Sequence, residues 1–166
     1  MPAGDVRPRR PLLVRGPRLP GRHGWLYFAG RSNERLRIDG ENFAAAPVEA
    51  ILAGHPDVRS VAVYAVPDDP VGDRVMAAVE LRAGAEFDPR GFDAFLTAQD
   101  DLGTKWPPSF VLVTEELPKL SSMKIDKTRL RRAAWHGRRV FWRPAKGAPL
   151  RPLDDADRAR LAHLLP

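Results

Sequence analysis

The 166-residue chain has no cysteine. That excludes a disulfide framework, a thiolate nucleophile and thiolate metal ligands. Its four histidines, His23, His55, His136 and His163, show no ligand spacing, so no metal site is expected. No apolar run approaches the roughly 18 residues of a membrane-crossing helix, and the Arg- and Pro-rich start lacks the apolar stretch of a signal peptide. A soluble, cytoplasmic protein is expected, with peripheral contact at a membrane as the alternative. The length suits one domain with tails rather than two full domains.

The formal charge of +6 points to an anionic partner until it is divided along the chain. Residues 1–23 hold six arginines and one aspartate, +5, whereas residues 24–123 hold nine basic and sixteen acidic groups, −7. Residues 124–146 then contribute +8, and the remainder is neutral. The body is therefore acidic, and a basic segment begins at Lys124.

The first 23 residues contain five prolines and no helical or strand period, so they are read as disordered. The texture changes at Gly24. "WLYFAG" and "RLRIDG" are short strand-like runs ending in glycine and predict a small hairpin. "APVEAILAG" puts Val48, Ile51 and Leu52 on one helical face, with Pro47 in the first turn and Gly54 as the stop. "VRSVAVYAV" and "DRVMAAVEL" predict antiparallel strands around the turn-rich "PDDPVGD", and "SFVLV" a third buried strand. Between them, "FDPRGFDAFLTAQ" offers Asp88 as N-cap, Pro89 in the first turn and Phe92, Phe95 and Leu96 at helical spacing, with Gly91 weakening the helix. The terminal "LDDADRARLAHLL" predicts a helix with Leu161, Leu164 and Leu165 as its stripe. The fold class is α+β, a small sheet of about three strands flanked by helices and preceded by a β-hairpin. The expected boundaries are 1–23, 24–135 for the domain, and 136–166 for a basic tail with a terminal helix.

Two clusters could carry chemistry. In "LPKLSSMKIDKTRLR", Lys124 follows a Pro- and Ser-containing loop at the start of a possible helix. Its ammonium could stabilise negative charge developing in a transition state, although by spacing alone a solvated surface lysine is the commoner case. "GRSNERLRIDGENF" combines a glycine, basic residues and a polar pair, which a plain hairpin tip would also explain.

Together, "GWLYFAGRSNERLRIDGENFAAAPVEAIL", "HPDVRSVAVYAVPDDPVGDRVMAAVEL" and "LPKLSSMKIDK" closely resemble the C-terminal domain of the AMP-forming acyl-CoA synthetase superfamily. Within it, "GENF" and "DLGTKWPP" look like the fatty-acyl-CoA synthetases and fatty-acid transport proteins. The resemblance covers roughly residues 24–135, and the "VFWRP" tail is in keeping with it. It implies a mobile domain of an enzyme that joins a fatty acid to CoA through an acyl-adenylate, with ATP and CoA as substrates and Mg as cofactor of the complete enzyme. None of these is expected to bind tightly to this chain alone. The resemblance also implies roles for single residues. Lys124 matches the adenylation lysine, Arg31 the arginine that meets the nucleotide ribose, and Asn33 the hinge. Arg37 and Asn42 align with residues near the adenylate phosphate. Gly40 and Lys127 fall toward the CoA channel, Lys127 being either structural or a ligand of CoA phosphate.

Two positions depart from the family pattern: Asn33 where aspartate or lysine is common, and Met123 where glycine is common. Asn tolerates unusual backbone angles, whereas Met123 predicts no left-handed turn before Lys124. The segment "LLVRGPRLPGRH" stands where a relative would read something like "YWSGDLAYRDAD". GC-rich codons for the latter, read one base out of frame, give a sequence close to Val-Arg-Gly-Pro-Arg-Leu-Pro, so residues 1 to about 23 are expected to be out-of-frame translation. The large N-terminal adenylate-forming domain is the expected partner, and the chain alone is expected to be inactive. Two alternatives stand beside this: an accessory domain that completes a ligase site in trans, and a nucleic-acid-binding protein using the basic segment with Trp135, Phe141 and Trp142 interleaved. The resemblance explains that segment better, so no nucleic acid is expected.

Overall fold

The computed structural model describes residues 18–20, 26–28, 35–38, 41–68, 72–102 and 106–164, with side chains for 44–67, 72–102 and 106–164. The apolar runs on either side of "PDDPVGD" form β5 (Val58–Asp68) and β6 (Gly72–Leu81), paired antiparallel in the register Val61↔Val79 and Val63↔Ala77. "SFVLV" supplies β7 (Phe110–Thr114), which runs parallel to β6 with Met76 opposite Phe110. A parallel neighbour needs a crossover, and α2 (Pro89–Thr97) lies within it. The helix starts as its sequence suggests. The Asp88 carboxylate accepts hydrogen bonds from the Arg90 and Gly91 N–H groups at 3.0 Å each. Gly91 belongs to this cap, since a Cβ there would lie 2.7 Å from Asp88 Oδ2.

These three strands form the centre of a larger mixed sheet. On one side, β3 (Arg35–Ile38) pairs with β4 (Glu41–Ala44) and touches β6 through Ile38↔Gly72. On the other, β8 (Val140–Trp142) pairs antiparallel with β7, and β9 (Arg151–Pro152) with β8. The hairpin is therefore built differently from the expectation: "RLRI" turns back on "ENFA", not on "WLYF". "LYF" instead forms β2 (Leu26–Phe28), whose partner is β1 (Arg18–Pro20) in a separate two-stranded ladder. Residues 18–20 are thus strand where disorder was expected, since an extended neighbour supplies ladder partners that local composition does not reveal. Pro20, lacking an N–H, sits at the strand end, where sheets tolerate proline.

Helices cover both faces. α1 (Ala45–Ala53) follows β4 without a side-chain cap and buries Ala45, Val48 and Leu52. Together with Phe92 and Leu96 of α2 it packs on Val61, Val63, Val75, Ala77, Val79, Val111 and Val113. The alternate residues, Ala62, Tyr64, Val66, Met76, Ala78 and Phe110, pack with Leu130 of α3 (Lys127–Ala133), Trp135 just after it, and Leu161 of α4 (Asp155–Leu161). β6 is buried at every position from Val75 to Glu80 because it lies between both layers. Each fully buried Val, Leu or Phe contributes about 1.5–3 kcal/mol.

The segment after residue 135 is part of this core. Trp142 and Trp135 stack on Phe110 with centroids 5.8 and 5.2 Å away, and Asp93 of α2 pairs with Arg143 and accepts the Leu150 N–H at 2.9 Å. Leu161 is buried and Leu164 half-buried, as the terminal stripe predicted, while Leu165 lies outside the described residues. Among the described residues no helix is long and apolar enough to cross a membrane.

Candidate functional site

Lys124 projects from a hairpin loop. Asp126 N–H donates to Pro118 C=O at 2.7 Å, Lys119 and Ile125 form an antiparallel bridge, and Leu120 N–H donates to Lys124 C=O at 2.8 Å. Met123 N–H closes the tip on Leu120 C=O at 2.9 Å. This is the bonding of a three-residue hairpin loop, in which the last loop position takes left-handed angles to match the strand twist. Met123 occupies it with φ +62°. The expectation that methionine would avoid positive φ here is overturned, because the two flanking ladder bonds fix the chain path and the backbone at 123 must follow. Four residues later α3 begins, capped by the Asp126 carboxylate on the Arg129 N–H at 3.0 Å.

The loop carries an unusual surface. Lys124 is exposed, and Leu120 and Met123 beside it, 48% and 73% exposed, are the exposed large hydrophobic residues among those described. No carboxylate among the described residues pairs with Lys124. An ammonium and two apolar side chains presented together suit a partner surface that holds anionic groups in a dry pocket.

Lys127 is placed differently. Its Nζ lies 2.8 Å from Glu49 Oε1 of α1, and its side chain is 20% exposed. The same Glu49 oxygen accepts the Val63 N–H of β5 at 2.7 Å, so one carboxylate joins α1, β5 and α3. Arg37 and Asn42 are directly opposed in the β3–β4 register. Arg31, Asn33 and Gly40 lie outside the described residues.

Sequence reading did not single out Glu49 or Glu80, which anchor the two ends of the loop. The available signal at Glu80 is a lone acid inside the apolar run "VMAAVEL". Among the described residues, no three acidic or imidazole groups converge where a metal ion could be held. The aromatic residues of the basic segment are also engaged elsewhere. Trp135 and Trp142 are 1% and 5% exposed, and Phe141 packs on Phe87 at 4.7 Å. They offer no platform for stacking bases.

Residues 47–124 match the family described as the AMP-binding enzyme C-terminal domain. The chain is 51% identical over 112 residues to steroid-22-oyl-CoA synthetase of Rhodococcus jostii, covering 68% of this chain and 20% of that protein. It is 50% identical over 107 residues to the medium/long-chain-fatty-acid–CoA ligase FadD17 of Mycobacterium marinum, covering 64% and 21%. Among solved structures, a Mycobacterium tuberculosis fatty acyl CoA synthetase superposes with a TM-score of 0.58 at 27% identity, covering 70% of this chain and 23% of that one. The chain thus spans about a fifth of the length of the curated relatives it matches. Residues 47–124 thus form an AMP-binding enzyme C-terminal domain, and over about two thirds of its length the chain is similar to a part of the AMP-forming acyl-CoA ligases.

Proposed function

We propose that this chain is the mobile C-terminal domain of a fatty-acid CoA ligase and that Lys124 is its adenylation lysine. The observation that carries the reading is the loop itself: a carboxylate-free ammonium on a hydrogen-bonded hairpin, flanked by exposed Leu120 and Met123. In the reaction, a carboxylate oxygen of the fatty acid attacks the α-phosphorus of ATP. The bond from that phosphorus to the bridging oxygen breaks, and pyrophosphate leaves with the electron pair. Lys124 keeps its proton and offsets the charge on the carboxylate and α-phosphate oxygens, which the large domain must hold in place. CoA sulfur then attacks the acyl carbon and AMP departs. Arg31 at the ribose, Arg37 and Asn42 near the phosphate, Asn33 as hinge and Gly40 at the CoA channel complete the proposal. For Lys127, the ion pair with Glu49 favours the structural of its two roles.

The test supplies a fatty-acid CoA ligase large domain with this chain, and measures pyrophosphate release from ATP and fatty acid. Lys124→Ala is expected to lower that rate by about 10²–10³-fold, the loss seen when one transition-state charge stabiliser is removed. Thioester formation from preformed acyl-adenylate should continue. Equal pyrophosphate release with and without Lys124 would remove the lysine from the mechanism. A large domain that responds to the added chain would also support action in trans.

A further inference from the structure

Glu80 is a carboxylate where the fold has every reason to place an apolar side chain. It is the last of the consecutive buried positions of β6, 3% exposed, between Ser60 of β5 and Thr114 of β7. Desolvating a carboxylate is costly, and an apolar residue of similar size is often as stable or more so. Its two oxygens have separate partners. Oε1 meets the exposed Arg59 guanidinium at 3.0 Å, and Oε2 accepts the Leu117 N–H at 3.1 Å. Leu117 is itself buried and immediately precedes Pro118, whose carbonyl closes the base of the Lys124 hairpin on Asp126. At the other end of the loop, Asp126 caps α3 and Lys127 is held by Glu49.

We propose that Glu80 is a positioning residue for Lys124: it fixes the leading end of the hairpin to the central strand, so that the ammonium is presented from a pre-ordered loop. The inference rests on the reading of Lys124 given above. A transition-state contact is lost by displacements of about 1 Å, so ordering the loop before docking is of direct catalytic use. Glu80 touches no reacting group and acts only through Leu117.

The chain's lack of cysteine allows the order of the loop to be measured directly. A spin label on Ser122→Cys, an exposed loop position, reports side-chain mobility in the full chain. With Glu80→Leu added, the label's rotational correlation time is expected to fall severalfold while the melting temperature stays near the parent value. Glu80→Gln, which keeps an acceptor for Leu117 N–H, should restore the parent spectrum. A residue that merely supported the core would lower the melting temperature and leave the label unchanged. An unchanged label in Glu80→Leu, or equal mobility in the Gln and Leu variants, would overturn the proposal. Should Glu80→Leu fail to fold, amide exchange of Leu117 in the parent decides: strong protection supports the anchor, and exchange at the free-peptide rate refutes it. None of these readouts involves ligase chemistry, so failure of Lys124→Ala to affect adenylation is a separate result.

Discussion

Met123 combines a backbone angle that favours glycine with a side chain 73% exposed beside the proposed catalytic lysine. A Cβ in the left-handed region costs about 1–2 kcal/mol. The greater freedom of glycine in the unfolded chain returns about 0.5–1 kcal/mol of that. Met123→Gly is therefore expected to stabilise the chain by about 0–1.5 kcal/mol, measured by urea unfolding. A clear loss of stability would mean that the methionine side chain makes contacts worth more than the strain. Resemblance singled out Lys124 as a candidate, but the left-handed turn before it was not legible. Single-residue preference argued against it, and the bonds at Leu120 that impose it join residues across the loop.

At the scale of elements, Asp157 holds the terminal part of the fold together. Fully buried, it accepts from Trp142 Nε1 of β8 and from Arg151 Nη2 of β9 at 2.9 Å each, and pairs with Arg160 of α4. It also forms a reciprocal capping box with Asp154. The Arg151 hydrogen bond, against opposing desolvation and with help from Arg160 and Trp142, holds its carboxyl well below the usual carboxylate range. A depressed folded-state pKa gives stability that is complete above the unfolded value of about 3.9 and is lost as pH falls from there toward the folded value. Near-ultraviolet circular dichroism of the tryptophans is expected to show α4 and β8 loosening below about pH 4, where unfolded aspartate begins to bind its proton. Asp157→Asn should flatten that dependence and lower the melting temperature at neutral pH. Acid unfolding identical in the two proteins would assign the effect to other carboxylates.

At the scale of the molecule, the segment after Trp135 packs into both layers of the core instead of trailing from the sheet. It supplies β8 as the neighbour of β7 and buries Val140, Trp142, Leu150, Leu153 and Leu161. A chain ending at Trp135 is expected to lose cooperative thermal unfolding, since Phe110 and Trp135 would be uncovered along with an open sheet edge. A truncated chain with a sharp melt near the parent temperature would show that the inner layers suffice. The same packing explains why the basic segment combines charge with aromatic residues: Arg143 reaches the Asp93 carboxylate and the carbonyls of Pro108 and Ala148, and the tryptophans reach the core.

The sequence by itself determined the central strands, both flanking helices and the terminal helix. In β5, β6 and α2, apolar spacing and turn or cap residues agree with the tertiary environment, so short-range information was sufficient. It also carried the family, through ordered motifs that no single residue type could supply. Only the tertiary structure decided which strand lies beside which. "ENFA" has weak strand propensity and "VFW" is three residues long, so their places in the sheet come from partners distant in sequence. The anchoring of Lys124 was decided in the same way: Glu80 and Leu117 are 37 residues apart, and the hydrogen bond between them exists only once β6 is buried beneath the loop.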